Sequence, residues 1–422
     1  MSDLATSPVP ANPSPPSTAT AGGGPHSSRS DSRAGAKGTS LPPANPEPAF
    51  HPYPLWCPRF WHGMTLGVWL RLIFRHGLRI HWQRWPMAVA ITILAAINSL
   101  LGGMQWLLGL IWPRVFADGA ADPHAHEPIF ILGHWRSGTT HLHELLVQDK
   151  RFGYPTTYEC FAPAHFLLTE WATPLLKIFL PKKRPMDNMA AGWDHPQEDE
   201  FALCNLGVGS PYIQMAFPNE PSYAEDFLDL RGLTPAQLAG WKGGLVWFLR
   251  RVATKQRKPL VLKSPPHTAR MRTLLELFPR AKFIHIVRDP LAVFPSTVRL
   301  WKSLAGIQGL QIARNEGLEE SILANFTRMY AAFDADRTLV PAAQFYEVKY
   351  EDLVANPLAT LETLYRELQL GDFAAVRPAV AAYLETQKDY KTNQLQTSPE
   401  LREKITTAWG EWMKKFGYAS EC

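Results

Sequence analysis

Residues 128–146 combine two glycines, an arginine and several hydroxyl side chains in a spacing that suits the binding of a phosphate-like anion. A short apolar run, Ile129–Leu132, stops at Gly133, and a helical pattern begins near Thr139. A loop between a strand and a helix N-terminus directs backbone N–H groups at an anion, and the helix dipole adds partial positive charge. Gly133 and Gly138 would allow the close backbone approach that such a loop requires.

The spacing of the two glycines is that of a nucleotide triphosphatase loop, but the residues that follow differ. Such an enzyme carries Lys and then Ser or Thr after the second glycine, whereas this chain has Thr139 and Thr140. The cation lies instead at Arg136, inside the loop and next to Ser137. We therefore expect a phosphate-like ligand other than the β- and γ-phosphates of ATP with Mg²⁺. An ordinary strand-to-helix turn is the alternative.

Strand and helix patterns alternate through the rest of the chain. Apolar runs predict strands at 129–132, 260–262, 283–287 and 345–348. Helical patterns lie at 139–148, 268–278, 291–303, 318–338 and 357–368. This alternation predicts an α/β fold, a P-loop-like parallel β-sheet flanked by α-helices. Ligands bind at the carboxyl ends of such strands, where Lys263 and Arg288 each follow a predicted strand.

The chain has an unusual N-terminal part. Residues 1–48 are rich in Pro, Ser, Ala and Gly and are predicted to be a disordered tail. Residues 51–114 hold six arginines, no Lys, Asp or Glu, and seven of the 15 tryptophans. Arginine beside tryptophan suits a membrane interface. The net charge of +5 is thus concentrated in this segment, which argues against a nucleic-acid partner.

The stretch from Trp85 to Pro113 carries no formal charge and exceeds the roughly 20 residues that span a bilayer. Polar residues and glycines at 98–105 predict a break that would give two shorter apolar helices. The segment is therefore predicted to be helical and membrane-associating. It would lie in one leaflet, span the membrane, or pack as a buried hairpin on the rest of the protein, because an apolar run alone does not separate these cases.

The motifs together resemble those of the sulfotransferases that use 3′-phosphoadenosine 5′-phosphosulfate (PAPS). Residues 133–140, GHWRSGTT, are similar to their 5′-phosphosulfate loop, and residues 283–290, FIHIVRDP, with Ser296 are similar to their 3′-phosphate motif. The run YEDL at 350–353 also matches. The motifs occur in the family's order across 128–418. The branch with Arg in the loop is the most similar, and tyrosylprotein sulfotransferases share that Arg.

This resemblance implies a sulfotransferase domain at 121–422 with an acceptor-side insertion at 151–258. It would transfer a sulfuryl group from PAPS to a hydroxyl or amine and release adenosine 3′,5′-bisphosphate, without a metal. The implied donor-binding residues are Gly133, Arg136, Ser137, Gly138, Thr139, Thr140, Arg288, Ser296, Tyr390 and Lys391. Arg136 would also contact the sulfuryl group, and Lys263 would stabilise the leaving group. For Tyr390 and Lys391 a solvated basic turn is the alternative.

A general base must accept the proton of the acceptor. Glu159 is favoured because it falls about where tyrosylprotein and heparan-type sulfotransferases place their catalytic Glu. The acidic run 198–200 holds the runner-up, Glu200, although acids that precede an apolar helix often only meet the helix dipole. His134, His165 and His267 are weaker candidates, because a lone histidine is usually structural or solvated.

Two other function classes remain open from the sequence: a P-loop small-molecule kinase and a non-catalytic, membrane-anchored nucleotide-binding protein. Aromatic residues in the 151–258 insertion suit a lipid or glycan acceptor. Because PAPS is made in the cytoplasm, the catalytic domain is predicted to be cytoplasmic and attached to the membrane from that side. A lumenal, Golgi-type arrangement is the alternative. The four scattered cysteines have no metal-ligand spacing.

Overall fold

The computed structural model describes residues 53, 57–116, 127–179, 192–388 and 397–418. Its four strands form one sheet of order β2-β1-β3-β4, in which every neighbouring pair is parallel. The strands are β1 (Ile129–Leu132), β2 (Val261–Lys263), β3 (Lys282–Val287) and β4 (Phe345–Lys349). The predicted α/β fold with a parallel sheet is confirmed. The predicted tail at 1–48 lies outside the described residues.

Sixteen α-helices accompany the sheet within the described residues. They are α1 (Leu66–Arg75), α2 (Trp85–Ile111), α3 (Pro113–Phe116), α4 (Thr139–Leu146), α5 (Thr157–Phe161), α6 (Phe166–Thr169), α7 (Thr173–Leu176), α8 (Asp199–Leu206), α9 (Pro235–Gln256), α10 (Met271–Leu277), α11 (Pro290–Gln308), α12 (Leu318–Arg337), α13 (Tyr350–Ala355), α14 (Pro357–Glu367), α15 (Arg377–Thr386) and α16 (Pro399–Lys415). The predicted strands and helices are all present, with ends that shift by a few residues. One is interrupted: the pattern at 268–278 forms a 3₁₀ turn, Pro265–Ala269, and then α10.

Alternate residues of the central strand pack into cores on opposite faces of the sheet. Phe130 and Leu132 belong to a large core shared with α9, α10, α11, α12 and α16. Ile129 and Ile131 belong to a smaller core shared with α4, α13, α14 and α15. Because both faces are covered, all four residues are buried, as the unbroken apolar run of β1 indicates.

The order of the strands places a crevice at the carboxyl end of β1. The chain passes from β1 to β2 on one side, then crosses to β3 and β4 on the other side. Ligands of parallel α/β sheets bind where the strand order reverses in this way. Gly133 follows β1 and Arg288 follows β3, so both predicted anion-binding motifs begin at this point.

The apolar helix α2 is continuous over its 27 residues, so the predicted break at 98–105 is wrong. The polar side chains there bond to other parts of the protein and leave the helix intact. Asn98 Nδ2 donates to the carbonyls of His62 and Met64 at 2.6 and 3.0 Å, and its Oδ1 lies 3.0 Å from His165 Nε2. Gln105 Oε1 accepts from the Leu168 N–H at 3.0 Å.

By length and composition, the helical region Trp82–Ile111 is able to cross a membrane. Residues on one side of α2 nevertheless pack into the large core, including Ala88, Ile91 and Ala95. Contacts group all of the described residues into one compact unit. The 51–114 segment is thus part of the same unit as the sheet.

Candidate active site

The loop between β1 and α4 has the backbone geometry of an anion-binding turn. Gly133 and Gly138 have φ values of 150° and 99°, which favour glycine. A Cβ on Gly138 would collide with the ring of Tyr350. The Gly133 N–H donates to Thr268 Oγ1 at 2.7 Å, which ties the loop to the turn after β2. The predicted strand, glycine loop and helix N-terminus are therefore present.

Arg136 lies at the centre of this loop and contacts residues of the second motif. Its φ of 70° is unusual for a side chain larger than glycine, and such backbone conformations cluster at functional sites. Arg136 Nε donates to Ser296 Oγ at 2.8 Å. Arg288 Nη1 donates to the Arg136 carbonyl at 3.0 Å, and its guanidinium stacks on the Tyr350 ring at 4.2 Å. Residues of all three predicted motifs thus meet in one place.

The hydroxyl residues of the loop extend this cluster into α4. Ser137 is buried, and its Oγ donates to the His134 carbonyl at 2.7 Å. Thr139 and Thr140 form the first turn of α4, with Thr139 buried and Thr140 partly exposed. Their position places them beside the positive end of the helix dipole. Tyr390 and Lys391, the remaining predicted donor-binding residues, lie outside the described residues.

A second cluster lies around Lys263, the last residue of β2. Lys263 is buried, and its Nζ is 2.7 Å from Glu198 Oε1. The other oxygen, Glu198 Oε2, accepts from the Tyr212 hydroxyl at 2.5 Å. Tyr212 in turn accepts from Trp135 Nε1 at 2.9 Å. This chain of hydrogen bonds links the end of β2 to the residue that precedes Arg136 in the loop.

Burial shapes the protonation states in this cluster. Burial, together with the neighbouring Glu198 carboxylate, holds the pKa of Tyr212 well above its usual value, so Tyr212 is a hydrogen-bond donor here. The side chain of Glu198 is 12% exposed. Glu198 occupies the N-cap position of α8, and its side chain makes no capping hydrogen bond to the helix. Lys263 is thus a buried cation beside a carboxylate that retains access to solvent.

The other two acids of the run at 198–200 have buried structural partners. Glu200 forms a two-pronged ion pair with Arg270, at 2.5 and 3.1 Å, in which both side chains are fully buried. Asp199 accepts from Ser264 Oγ at 2.9 Å and lies 2.7 Å from His267 Nε2. These contacts anchor α8 to the turn after β2. Among the three acids, it is Glu198 that faces Lys263.

Glu159 forms the capping box of α5. Its Oε2 accepts from the Thr156 N–H at 2.7 Å, and its Oε1 pairs with Lys255 Nζ at 3.0 Å. The side chain is fully buried, and burial raises its pKa, an effect that Lys255 opposes. Both oxygens of the favoured base therefore have structural partners. Its catalytic role stays a prediction.

The three histidine candidates are also engaged. Burial lowers the pKa of His134 to about 4, and its Nδ1 is 2.9 Å from the Trp135 carbonyl. His165 contacts Asn98 of α2, and burial lowers its pKa to about 4. His267 pairs with Asp199. Sequence reasoning located the acidic run but favoured Glu200 within it, and it counted Tyr212 only among the aromatic residues of the 151–258 insertion.

The arrangement matches a known family. The model of the sulfotransferase family matches residues 128–374, more than half of the chain. The chain belongs to the sulfotransferase family. A relative from Mycobacterium bovis, named omega-hydroxy-beta-dihydromenaquinone-9 sulfotransferase Stf3, is 45% identical over 363 residues, which cover 86% of this chain and 92% of the relative. The predicted sulfotransferase is thereby confirmed in preference to a kinase.

Solved sulfotransferases share the fold. STF9 from Mycobacterium avium superimposes with a TM-score of 0.60 at 16% identity, covering 85% of this chain and 98% of that one. STF1 from Mycobacterium tuberculosis gives 0.56 at 19% identity, covering 82% and 91%. Within the described residues of this sulfotransferase, no group of three or more His, Cys, Asp or Glu side chains is arranged to hold a metal.

Proposed function

We propose that this sulfotransferase moves the sulfuryl group of PAPS to the hydroxyl of a membrane lipid and releases adenosine 3′,5′-bisphosphate. One observation carries the donor assignment: Arg136 of the phosphosulfate loop lies 2.8 Å from Ser296 of the 3′-phosphate motif. A nucleotide with phosphates at both ends would contact both motifs from a single site. Arg288, which bonds to the Arg136 carbonyl, supplies a second guanidinium for the 3′-phosphate.

The chemistry is an in-line displacement at sulfur. The acceptor oxygen forms a new bond to sulfur while the bond from sulfur to the bridging oxygen of the 5′-phosphate breaks. Negative charge develops on that bridging oxygen, and preorganised cations stabilise it. Arg136 presents a planar donor fork to the oxygens of the phosphosulfate. Lys263, a buried cation, stabilises the departing bisphosphate.

The acceptor hydroxyl must lose its proton during the transfer. We assign this proton to Glu198, because its carboxylate lies beside Lys263 and retains solvent access, with 12% exposure. Tyr212 and Lys263 hold the two carboxylate oxygens in place. Glu159 and Glu200, the bases predicted from the sequence, are fully buried and pair with Lys255 and Arg270. Glu198 is the better candidate because it is the acid that contacts Lys263 and is partly exposed.

Two observations support a lipid acceptor. The 45% identical relative is named for a menaquinone derivative with an omega-hydroxyl, an isoprenoid lipid. In this chain a cavity of about 530 Å³ opens beside the loop residue Trp135, with Trp301 and Met215 among its apolar walls. That volume is in the range of small-molecule sites. The lining of the cavity mixes apolar residues with polar ones such as Gln214 and Asn325, and its apolar residues would contact the isoprenoid chain of such an acceptor.

A lipid acceptor also implies that the enzyme works at a membrane. The long apolar helix supports membrane association, and cytoplasmic supply of PAPS supports a catalytic domain on the cytoplasmic side.

No step of the proposed reaction requires a metal.

Calorimetric titration tests the donor site. We expect tight binding of adenosine 3′,5′-bisphosphate that is the same with Mg²⁺ and with a chelator, and that is weakened by Arg288→Ala. Ordinary ADP serves as the matched control because it lacks the 3′-phosphate. Preference for ADP with Mg²⁺ would overturn the assignment of the donor.

Turnover tests the acceptor class. The purified enzyme is supplied with PAPS and with isoprenoid alcohols of increasing length, and the sulfated product is measured by mass spectrometry. Oligosaccharides with free primary hydroxyls form the comparison set. Sulfation of sugars in preference to isoprenoid alcohols would contradict the lipid assignment while leaving the donor assignment intact.

A further inference from the structure

Helix α2 has two sides with opposite surroundings. Its buried residues follow one stripe along the helix: Ala88, Ile91, Ala95, Asn98, Gln105 and Gly109. Its other side is apolar and exposed, and includes Val89, Ile93, Ile97, Leu100, Met104, Leu107 and Ile111. Only 22% of the most apolar stretch of the helical region Trp82–Ile111 is buried. The core helix of a soluble protein would be mostly buried, so the exposed stripe needs an apolar partner.

The buried stripe attaches α2 to the catalytic domain over nearly its whole length. From Ala88 to Gly109 it extends over roughly 30 Å at 1.5 Å per residue, about the thickness of the hydrocarbon core of a bilayer. A helix that crossed the membrane in this state would carry the attached domain, with its polar loops, into the hydrocarbon. Backbone polar groups exposed to lipid are not tolerated there. The packing therefore requires that α2 lie along the membrane.

Other exposed apolar side chains lie beside both ends of α2. Phe74 and Trp82 precede it and are 61% and 73% exposed. The segment that holds Trp171 and Ile178, each 77% exposed, is joined to the C-terminal half of the helix by the hydrogen bond from Leu168 to Gln105. Exposed apolar side chains thus occur next to the helix as well as on it, and they include tryptophans of the kind that lie at headgroup level.

The charges near this surface favour an anionic lipid. Arg71 and Arg75 precede α2, Arg114 follows it, and all three are exposed. No Asp or Glu occurs anywhere in 51–116. Cationic side chains beside an apolar helix face are attracted to the anionic surface of a leaflet. A second protein copy would bring the same arginines against each other and is disfavoured by this charge.

The chain just before α2 contacts residues in the wall of the cavity beside Trp135 or next to it. Arg79 pairs with Glu220, a cavity residue, at 2.6 Å. Arg84 Nη2 donates to the Gly306 carbonyl at 2.8 Å, next to Ala305 of the cavity wall. The cavity wall therefore lies beside the chain that leads into α2.

We propose that the exposed stripe of α2 and its flanking tryptophans and arginines form a docking face that lies flat in the interface of an anionic leaflet. The face holds the cavity mouth at the bilayer, so that the hydroxyl end of a lipid acceptor enters from the membrane. The entry route rests on the proposed function, whereas the docking face does not depend on it.

Flotation of the full-length protein with vesicles tests the docking face. We expect binding to phosphatidylcholine vesicles that contain phosphatidylglycerol, and weaker binding to phosphatidylcholine alone. Ile93→Glu and Leu100→Glu should each lower vesicle affinity at least tenfold. Leu339→Glu is the matched control, since it also places a carboxylate at an exposed apolar position, 43% exposed, but on another surface. Equal binding by all variants would overturn the docking face.

The same variants also test whether the exposed stripe of α2 is instead a contact between two copies of the protein. Sedimentation that shows a dimer for the native chain and a monomer for Leu100→Glu, with no vesicle binding by either, would assign the stripe to a subunit interface and overturn the proposal.

A disulfide tests whether α2 lies flat or crosses the membrane. A Cβ on Gly102 would lie 3.3 Å from Cβ of Ala164, slightly less than the roughly 3.5–4.5 Å between the Cβ atoms of a disulfide, so a small shift of the helix would allow the bond. In Gly102→Cys with Ala164→Cys, oxidation locks the helix to the domain. We expect the oxidised protein to bind vesicles and to sulfate a vesicle-borne acceptor as the reduced protein does. Loss of both on oxidation, restored by reductant, would show that the helix must detach and would overturn the flat arrangement.

A short, water-soluble isoprenoid alcohol separates this proposal from the proposed function. Leu100→Glu should keep native turnover on this acceptor while losing at least tenfold on a vesicle-borne long-chain acceptor. Equal turnover on both would overturn the membrane entry route. If the native enzyme sulfates neither acceptor, the proposed function fails, and flotation still decides the docking face.

Discussion

At the scale of single residues, we propose that Lys263 acts as the cation and Glu198 as the base of the reaction. Glu198→Gln keeps the size of the side chain but replaces one acceptor oxygen with an NH₂ donor. It therefore cannot take the acceptor proton, and it keeps only one of the two accepted hydrogen bonds from Lys263 and Tyr212. We expect kcat to fall by about 10²- to 10⁴-fold, with binding of adenosine 3′,5′-bisphosphate retained. Steady-state kinetics and calorimetry on the same preparation measure the two effects. Native kcat would exclude Glu198 as the base.

The neighbouring Glu200 provides the control, because its partner is structural. Glu200→Gln would leave the fully buried Arg270 without its charge partner, which costs about 3–5 kcal/mol of unfolding free energy. We therefore expect a lower midpoint in urea unfolding but near-native kcat per folded molecule. Loss of kcat without loss of stability would instead give Glu200 the catalytic role predicted from the sequence.

Arg136 is expected to act on the transition state as well as on binding. Arg136→Ala removes donors from the phosphosulfate oxygens, and we expect kcat to fall by about 10²- to 10³-fold, as for other lost donors to developing charge. Arg136→Lys keeps the charge without the fork and should recover only part of the activity. Unchanged turnover of either variant would remove the role assigned to Arg136.

The sequence allowed the donor motifs to be predicted but not the geometry of the base. Glycines, Arg136, Arg288 and Ser296 occur at spacings that predict a shared anion site. In the acidic run, by contrast, neighbouring helical residues point about 100° apart. Which acid faces Lys263 depends on the orientation of α8, and that orientation is set by distant contacts of Asp199 and Glu200. Tyr212 reaches the site from a 3₁₀ turn, Pro211–Ala216, that no sequence pattern indicated.

At the scale of secondary-structure elements, α2 shows how tertiary contacts override local signals. Its central Asn, Ser and Gly residues favour a break when the sequence is considered alone. In the structure, Asn98 and Gln105 meet polar groups of the domain, and Gly102 packs close to Ala164. These partners lie as many as 67 residues away in the chain, so the local pattern does not contain them.

Asn98 should be the residue that holds α2 to the domain. Asn98→Leu would leave the carbonyls of His62 and Met64 and the ring of His165 without their partner, and an unpaired buried polar group costs about 1–3 kcal/mol. We expect the unfolding free energy to fall by at least about 2 kcal/mol in urea titrations. Ile97→Ala, at the exposed neighbouring position, should change it by no more than about 0.5 kcal/mol. Equal effects would contradict the anchoring role of Asn98.

At the scale of the whole molecule, buried neutral histidines should make the fold sensitive to acid. Burial lowers the pKa of His134 and of His165 to about 4 and that of His143 to about 3, from 6.5. The unfolded chain therefore binds more protons than the folded protein below pH 6.5. Stability is fully present above that pH and is lost as the pH falls toward 4.

Thermal unfolding between pH 8 and pH 4.5 measures this loss. The native midpoint should be constant above about pH 7 and then fall steadily. His143→Gln removes one of the contributing groups, so its midpoint should vary less steeply with pH, even if it is lower at pH 8. An identical slope in the variant would show that His143 does not contribute.

The proposed docking of α2 on a leaflet has a consequence for how the rate depends on acceptor concentration. An enzyme held on a leaflet meets its acceptor by diffusion in two dimensions, so the rate depends on the number of acceptor molecules per unit area. Adding acceptor-free phospholipid to the same vesicles, with the amount of acceptor per volume kept constant, should slow turnover in proportion to the dilution within the surface. Turnover on a water-soluble acceptor should be unaffected. Sulfation would then respond to the composition of the membrane and not to the size of the cell.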